Sequence, residues 1–174
     1  LTALYRPGPM ANIPEFINRR SGESKIKYIH SSLENILKET YGIIVYQEQV
    51  MQIAAQIGRF SLAESDLMRR AMGKKKKNLM ASFKVKFVEG AAKNKIAKNL
   101  AIEIFELLEK FAQYGFVKSH AVAYSVISYQ TAWLKYHYPA EFLTANISSD
   151  LNVTDRLVKL LADARRLKIS INPP

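Results

Sequence analysis

Six cations fall within nine residues: Arg69, Arg70, Lys74, Lys75, Lys76 and Lys77. A helix reaching Met72 puts Arg69 and Arg70 about 100° apart on its last turn, with the four lysines following its end. Guanidinium grips phosphate oxygens in a fixed fork, whereas an ammonium adds a mobile point charge. The pairing suits a polyphosphate or a nucleic-acid backbone. The helix macrodipole also favours cations at a C-terminus, by about 0.3 to 1 kcal/mol each. That effect accounts for one or two cations, and a solvated helical face is the competing reading of the rest. Asp66, one turn before the arginines, is placed to orient them by i,i+3 or i,i+4 pairing rather than to bind metal.

A second cluster runs Phe111-Ala112-Gln113-Tyr114-Gly115-Phe116-Val117-Lys118-Ser119-His120. A glycine between two aromatics at a helix-to-helix turn frees the backbone and can present Tyr114 and Phe116 as flat faces for bases or a ribose. Lys118, Ser119 and the first amides of the next helix form a candidate anion site. The other reading keeps both rings as core anchors and Ser119 as a helix cap. A third polar cluster, Tyr46-Gln47-Glu48-Gln49, reads as a solvent face, with Gln49 and Gln52 offering amide contacts.

Several chemistries are missing. There is no cysteine, so disulfides, thiolate zinc sites and a Cys nucleophile are ruled out and a reducing cytosol stays open. Three histidines, His30, His120 and His137, are too widely spaced for a structural metal site. No Ser-His-Asp arrangement, paired carboxylates or phosphate-binding Gly-x-x-x-x-Gly-Lys loop occurs, so no complete active site is expected. The most apolar stretch, residues 121–134, is broken by Tyr124, Ser125, Ser128, Tyr129, Gln130 and Thr131, which excludes a membrane span.

Across 174 residues the formal charge is +11, with 26 Lys plus Arg against 15 Asp plus Glu. Residues 1–58 carry a net +1, residues 59–98 a net +9 and residues 99–174 a net +1. Such concentration resembles an electrostatic footprint for phosphate more than a uniform solubility charge. At 48% apolar and 10% aromatic the chain has material for a real core.

These residues must be positioned mainly by helices. Arg6-Pro7-Gly8-Pro9 is a rigid turn, because each proline removes a donor and biases its predecessor to extended backbone. Apolar spacing predicts a helix from Asn12 that stops at Ser21-Gly22, and a hairpin-like or extended piece at 25–30. A helix capped by Ser31-Ser32 then runs through Lys38. Residues 41–46 read as a short buried strand or as a tight connector. Further helices are expected at 47–57 with Gly58 as the stop, at 63–72 with Gly73 as the end, and at 78–92 and 96–112. Three more follow: one capped by Ser119 and running to about 136, one at 140–147 and one at 154–167. Ser61-Leu62-Ala63-Glu64 is a capping box. The fold class is mainly α, with six to eight helices and no internal repeat. The opening Leu1 and the closing Pro173-Pro174 look like cuts through a longer protein.

Five motifs occur in one family's order: Tyr5-Arg6-Pro7-Gly8-Pro9, Tyr41-Gly42-Ile43-Ile44-Val45-Tyr46-Gln47-Glu48-Gln49-Val50-Met51, the stretch 67–76, the stretch 114–120, and Ser128-Tyr129-Gln130-Thr131-Ala132-Trp133-Leu134-Lys135 followed by His137-Tyr138-Pro139-Ala140-Glu141-Phe142. Together they closely resemble the fingers domain of the alpha subunit of bacterial DNA polymerase III. The resemblance implies that residues 1–174 are helical fingers cut from a DNA-directed DNA polymerase of chromosome replication. It also implies a basic nucleotide-facing region at 59–98 and C-terminal helices at 140–168 leading toward the next domain. By position, Arg69 and Arg70 resemble the pair that contacts the incoming dNTP triphosphate, with Lys74 beside them. Tyr114, Gly115 and Phe116 resemble the loop near the nascent base pair, and Lys118, Ser119 and His120 the polar residues after it. Val117 departs from the pattern, standing where Asn is expected. In the family the Mg2+-binding carboxylates lie in the palm, outside this segment, so the fragment alone is expected to be inactive and to hold no metal. The partners implied are primer-template DNA, dNTP and other replisome subunits through regions mostly elsewhere, with a cytoplasmic, nucleoid-associated location and no membrane. The competing function is a stand-alone basic helical module that binds nucleic acid non-specifically, without catalysis; a membrane-surface role is poorly supported, since the basic stretch lacks a Trp- and Leu-rich face.

Overall fold

The computed structural model describes residues 1–73, 77–112 and 114–172. Among them the chain forms nine α-helices and no strand, dividing into two compact units, Leu1–Val122 and Ala123–Pro174.

In the first unit a 3-10 turn, Pro9–Asn12, leads into α1, Ile13–Ser21, which closes on Gly22 at φ 84°. Short 3-10 segments, Ser31–Leu33 and Lys38–Thr40, flank the single-turn α2, Glu34–Leu37. The expected Ser31-Ser32 cap is replaced by His30, whose Nδ1 accepts the Ser32 amide at 3.3 Å. Then come α3, Gln47–Gly58, α4, Leu62–Gly73, α5, Lys77–Lys93, and α6, Lys98–Ala112. α7, Lys118–His137, begins in this unit and continues into the second.

The core is the packed interior of α3 to α6. Val50, Ile53, Ala54 and Ile57 of α3 meet Met68, Ala71 and Met72 of α4, Phe87 and Ala91 of α5, and Ala101, Ile104, Phe105 and Leu108 of α6. Burying one such large side chain is worth roughly 1.5 to 3 kcal/mol. The rings of Phe60, Phe87 and Phe105 run through it with centroids 6.2 and 5.4 Å apart. Two glycines allow the closest approach. A Cβ built on Gly90 would stand 1.9 Å from the Gly58 carbonyl oxygen. Gly58 is therefore the last residue of α3 and a packing surface, while the stop falls to Arg59 in the left-handed region at φ 57°. Similarly α6 starts at Lys98 rather than at 96, because Lys95 takes φ 60° and turns the chain first.

Neither 25–30 nor 41–46 is a strand; in the latter the connector reading holds. The alternation of extended backbone still sorts the side chains of the connector, since successive Cβ atoms point to opposite faces. Ile44 enters the main core, while Ile43 and Val45 join Ala3, Leu4 and Ala121 in a second cluster, against which Ile13, Phe16, Tyr46 and Phe116 pack. The connector therefore joins the two clusters. The second unit contains α8, Pro139–Ser149, and α9, Thr154–Arg166, with Leu143 and Ala164 buried and Asp163 ion-paired to both Lys135 and Arg166. Among the described residues no helix is long and apolar enough to cross a membrane.

Candidate functional site: a cationic helix end and an aromatic turn

The chain turns back on itself from helix to helix, and that decides where the basic residues end up. Glu64, in the first turn of α4, pairs with Lys86 in the later half of α5, and Lys84 pairs with Glu106 of α6 at 2.8 Å. Asn94 donates to the carbonyls of Gln56 and Ile57, so the ends of α3 and α5 meet the start of α6. Going back along α3 and forward along α4 and α6 leads to the opposite end of the bundle. There α3 begins at Gln47, α4 ends, and α6 gives way to the 114–118 turn.

α4 starts on the expected capping box: the Ser61 amide donates to Glu64 at 2.9 Å and the Glu64 amide to Ser61 Oγ at 3.3 Å. With Ser65, Met68, Ala71 and Met72 facing inward, the arginines are carried on the helix flank. Asp66 spans both: Oδ1 accepts Arg69 Nη2 at 2.5 Å and Oδ2 accepts Arg70 Nη2 at 2.7 Å. The hydrogen bond from Arg69 lowers the Asp66 pKa, against a smaller desolvation effect, with Arg70 adding to it. Arg69 is half-buried and its Nε is enclosed without a hydrogen-bond partner among the described residues, while the Arg70 side chain is 63% exposed. One carboxylate thus fans out two guanidiniums and leaves the cluster net positive. Lys74 lies outside the described residues, as do Lys75 and Lys76.

The aromatic turn is fastened to the start of α3. Phe116 donates its amide to Val45 O at 3.1 Å, and Gln47 donates its own to Phe116 O at 2.9 Å, forming the single parallel bridge of the chain's described part. Gln47 Nε2 donates to Gly115 O at 3.0 Å, and a Cβ at Gly115 would come within 3.1 Å of Gln47 Cγ. From the other side Arg6 donates to Tyr114 O and lays its guanidinium 4.6 Å above the Phe116 ring. The two rings part company here. Phe116 is half-buried, with His120 5.2 Å away edge to face. Tyr114 is 45% exposed and lies against Gly8, lining a 260 Å³ recess with Pro9, Asn12 and Lys110.

Ser119 does not cap α7, which starts one residue earlier. Glu48 does: the Lys118 amide donates to both of its carboxylate oxygens at 3.1 Å. The first amide of the candidate anion site is therefore already satisfied by a carboxylate of the same chain. Lys118 Nζ reaches Glu39 at 2.5 Å and lies 5.8 Å over the Tyr46 ring. Hydrogen bonding to Glu39 raises the Lys118 pKa, and burial, then Glu39, raises that of Tyr46. Ser119 and His120 are on the exposed side of this turn of helix.

Sequence reasoning missed Arg6 and Glu39 in this region, and it read Gln47, Glu48 and Gln49 as a solvent face. The Gln49 side chain is no solvent face: it is buried, accepts the Val45 and Tyr46 amides at 2.9 and 3.0 Å, and donates to Thr40 Oγ1 and Ile36 O. A glutamine three residues after the helix-opening Tyr46 is half of a capping-box signature and was the available signal. Nothing local marks Arg6 or Glu48. Among the described residues no three His, Asp or Glu come together as a metal site.

Fold and surface together define an all-helical domain that gathers an arginine pair and an aromatic turn at one end of its bundle. The family model of the bacterial DNA polymerase III alpha subunit finger domain matches residues 1–95, and the chain belongs to that family. It is 57% identical over 172 residues to a DNA polymerase III subunit alpha of Neisseria meningitidis serogroup A, a match covering 99% of this chain and 15% of that protein. Subunits of the same description from Xylella fastidiosa strain Temecula1 and Caulobacter vibrioides are 55% and 54% identical over 174 residues, again with 15% of each relative covered. The chain thus spans about 15% of the length of the curated relatives it matches.

Proposed function

We propose that this chain serves as the fingers of a replicative DNA-directed DNA polymerase, with the α4 cations facing the triphosphate of the incoming dNTP and the 114–120 turn facing the nascent base pair. The observation that carries the reading is the placement of both groups at the end of the bundle where α3 begins. Arg69 and Arg70 are oriented in advance by Asp66, so little reorganisation is needed when negative charge builds on the departing pyrophosphate. The +9 of residues 59–98 extends that field. Tyr114 is the exposed ring for contact with the base pair, and Phe116, clamped under Arg6, sets its backbone. Lys118, Ser119 and His120 line the approach beside it.

No cluster of His, Asp and Glu among the described residues suits a metal ion, and in this reading Mg2+ belongs to carboxylates in the palm of the full subunit. Primer-template DNA, dNTP, replisome partners and a cytoplasmic setting belong to that whole protein. Residues 140–168 are read as the lead into its next domain.

In the full-length subunit, Arg69→Ala is expected to lower the rate of correct incorporation divided by KM about tenfold or more, since one charge-assisted contact is worth roughly 1.5 to 3 kcal/mol. Single-nucleotide primer extension measures it. An unchanged rate and KM would overturn the assignment of Arg69. Strong, salt-dependent DNA binding by the 174 residues alone, with Arg69→Ala silent in the full enzyme, would favour the stand-alone binding module.

A further inference from the structure

We infer that Glu48 and Gln47, the first two residues of α3, are positioning residues that set the aromatic turn and the start of α7 for the incoming nucleotide. The inference rests on the polymerase reading above and deepens it. The geometry is specific. Three hydrogen bonds hold the turn to α3 through Gln47 and Glu48 across about 70 residues of sequence: Gln47 N–H to Phe116 O, Gln47 Nε2 to Gly115 O, and the Lys118 amide to the Glu48 carboxylate. Gln47 grips the two residues on one side of the turn and Glu48 the first amide of the helix on the other. Both side chains therefore act on backbone, so the identities of the exposed Tyr114 and His120 can serve recognition while α3 decides where they stand.

The carboxylate has a second consequence. A helix N-terminus attracts anions through its unpaired amides and dipole, and here Glu48 already occupies that position while Glu39 takes the Lys118 ammonium. The phosphate-binding duty then falls to the arginines of α4, and the start of α7 is left as a fixed wall. The buried Gln49 makes the support stiff. Its side chain ties the 45–46 backbone, to which Phe116 is paired, to the segment at Ile36 and Thr40.

The test uses the full-length subunit in primer extension with correct and mismatched dNTP, comparing Glu48→Ala, Glu48→Gln, Gln47→Ala and Arg69→Ala. Glu48→Ala is expected to raise KM for the correct nucleotide roughly tenfold, the scale of a lost charge-assisted bond, and to lower discrimination against the mismatch. Glu48→Gln keeps an acceptor for the Lys118 amide and is expected to recover most of both. Gln47→Ala is expected to reduce discrimination in the same direction. Equal KM and discrimination in Glu48→Ala and the parent, with Arg69→Ala impaired, would overturn this inference and leave the polymerase reading standing. A silent Arg69→Ala would instead overturn the assignment of Arg69. Should Glu48→Ala fail to fold, as judged by its melting profile, Gln47→Ala carries the decision: discrimination indistinguishable from the parent would refute the inference, and reduced discrimination would support it.

Discussion

Gly90→Ala sets two opposing effects against each other at one position. In an isolated helix alanine is favoured over glycine by about 0.8 to 1 kcal/mol, so a helix judged alone gains from the change. In this bundle the new Cβ would sit 1.9 Å from the Gly58 carbonyl oxygen and 2.4 Å from its carbon. A carbon-oxygen contact needs more than 3 Å, so α5 has to move away from α3 by roughly 1 Å. The atoms met are backbone in a helix end and cannot swing aside as a flexible side chain could. Separation loosens Phe87 and Ala91 against Ile53, Ala54 and Ile57, all essentially sealed from solvent. Overpacking of this kind costs roughly 1 to 3 kcal/mol and occasionally more. Set against the helix preference, the net expectation for so close a backbone clash is a destabilisation of about 1 to 2 kcal/mol, or a fall of several degrees in melting temperature for a chain of this size. Urea unfolding of the 174-residue chain followed by circular dichroism measures it, with Gly73→Ala as the control. Gly73 closes α4 with nothing among the described residues within 4 Å of its built Cβ, so its replacement is expected to be neutral or slightly stabilising. If Gly90→Ala matched Gly73→Ala, the close approach of α3 and α5 would be refuted.

Two further outcomes concern the polar scaffold. The hydrogen bond from Lys86, followed by the Ser61 amide, holds the Glu64 pKa down at about 2, below its ordinary 4.5. A carboxyl with a lower pKa folded than unfolded adds stability above pH ~4.5 that is lost as pH falls toward 2; Glu64→Gln should flatten the urea midpoint between pH 5 and 2, and an unchanged acid slope would contradict the pairing. Gln49→Leu removes the partners of the Val45 and Tyr46 amides and of Thr40 Oγ1. The expected loss is about 2 to 4 kcal/mol in the urea unfolding of the chain, and a loss under about 0.5 kcal/mol would show that these donors find other partners.

The helical class, the start of α4 and the concentration of charge were legible without a structure because each depends on residues within about one helical turn. Ser61 and Glu64 cap α4 three positions apart, and Asp66 pairs with Arg69 and Arg70 at i,i+3 and i,i+4, where helical pitch alone makes neighbours. Family membership too was visible in the order of local motifs. Gly58 shows where such reading stops: a glycine at a helix end looks like a stop signal, yet its use here comes from Gly90 across the bundle. Glu48 and Gln49 show it again, since a run of polar residues resembles a solvent face until its partners are known. Which of two clusters Ile43, Ile44 and Val45 enter was likewise open until α3 and the 114–118 turn closed around them. The cations and the aromatic turn were readable one by one from the sequence. Their placement toward one end of the bundle was decided by the reversals between α3 and α6 and by the bonds from Gln47 and Glu48, because nothing local in a chain records a contact about 70 residues away.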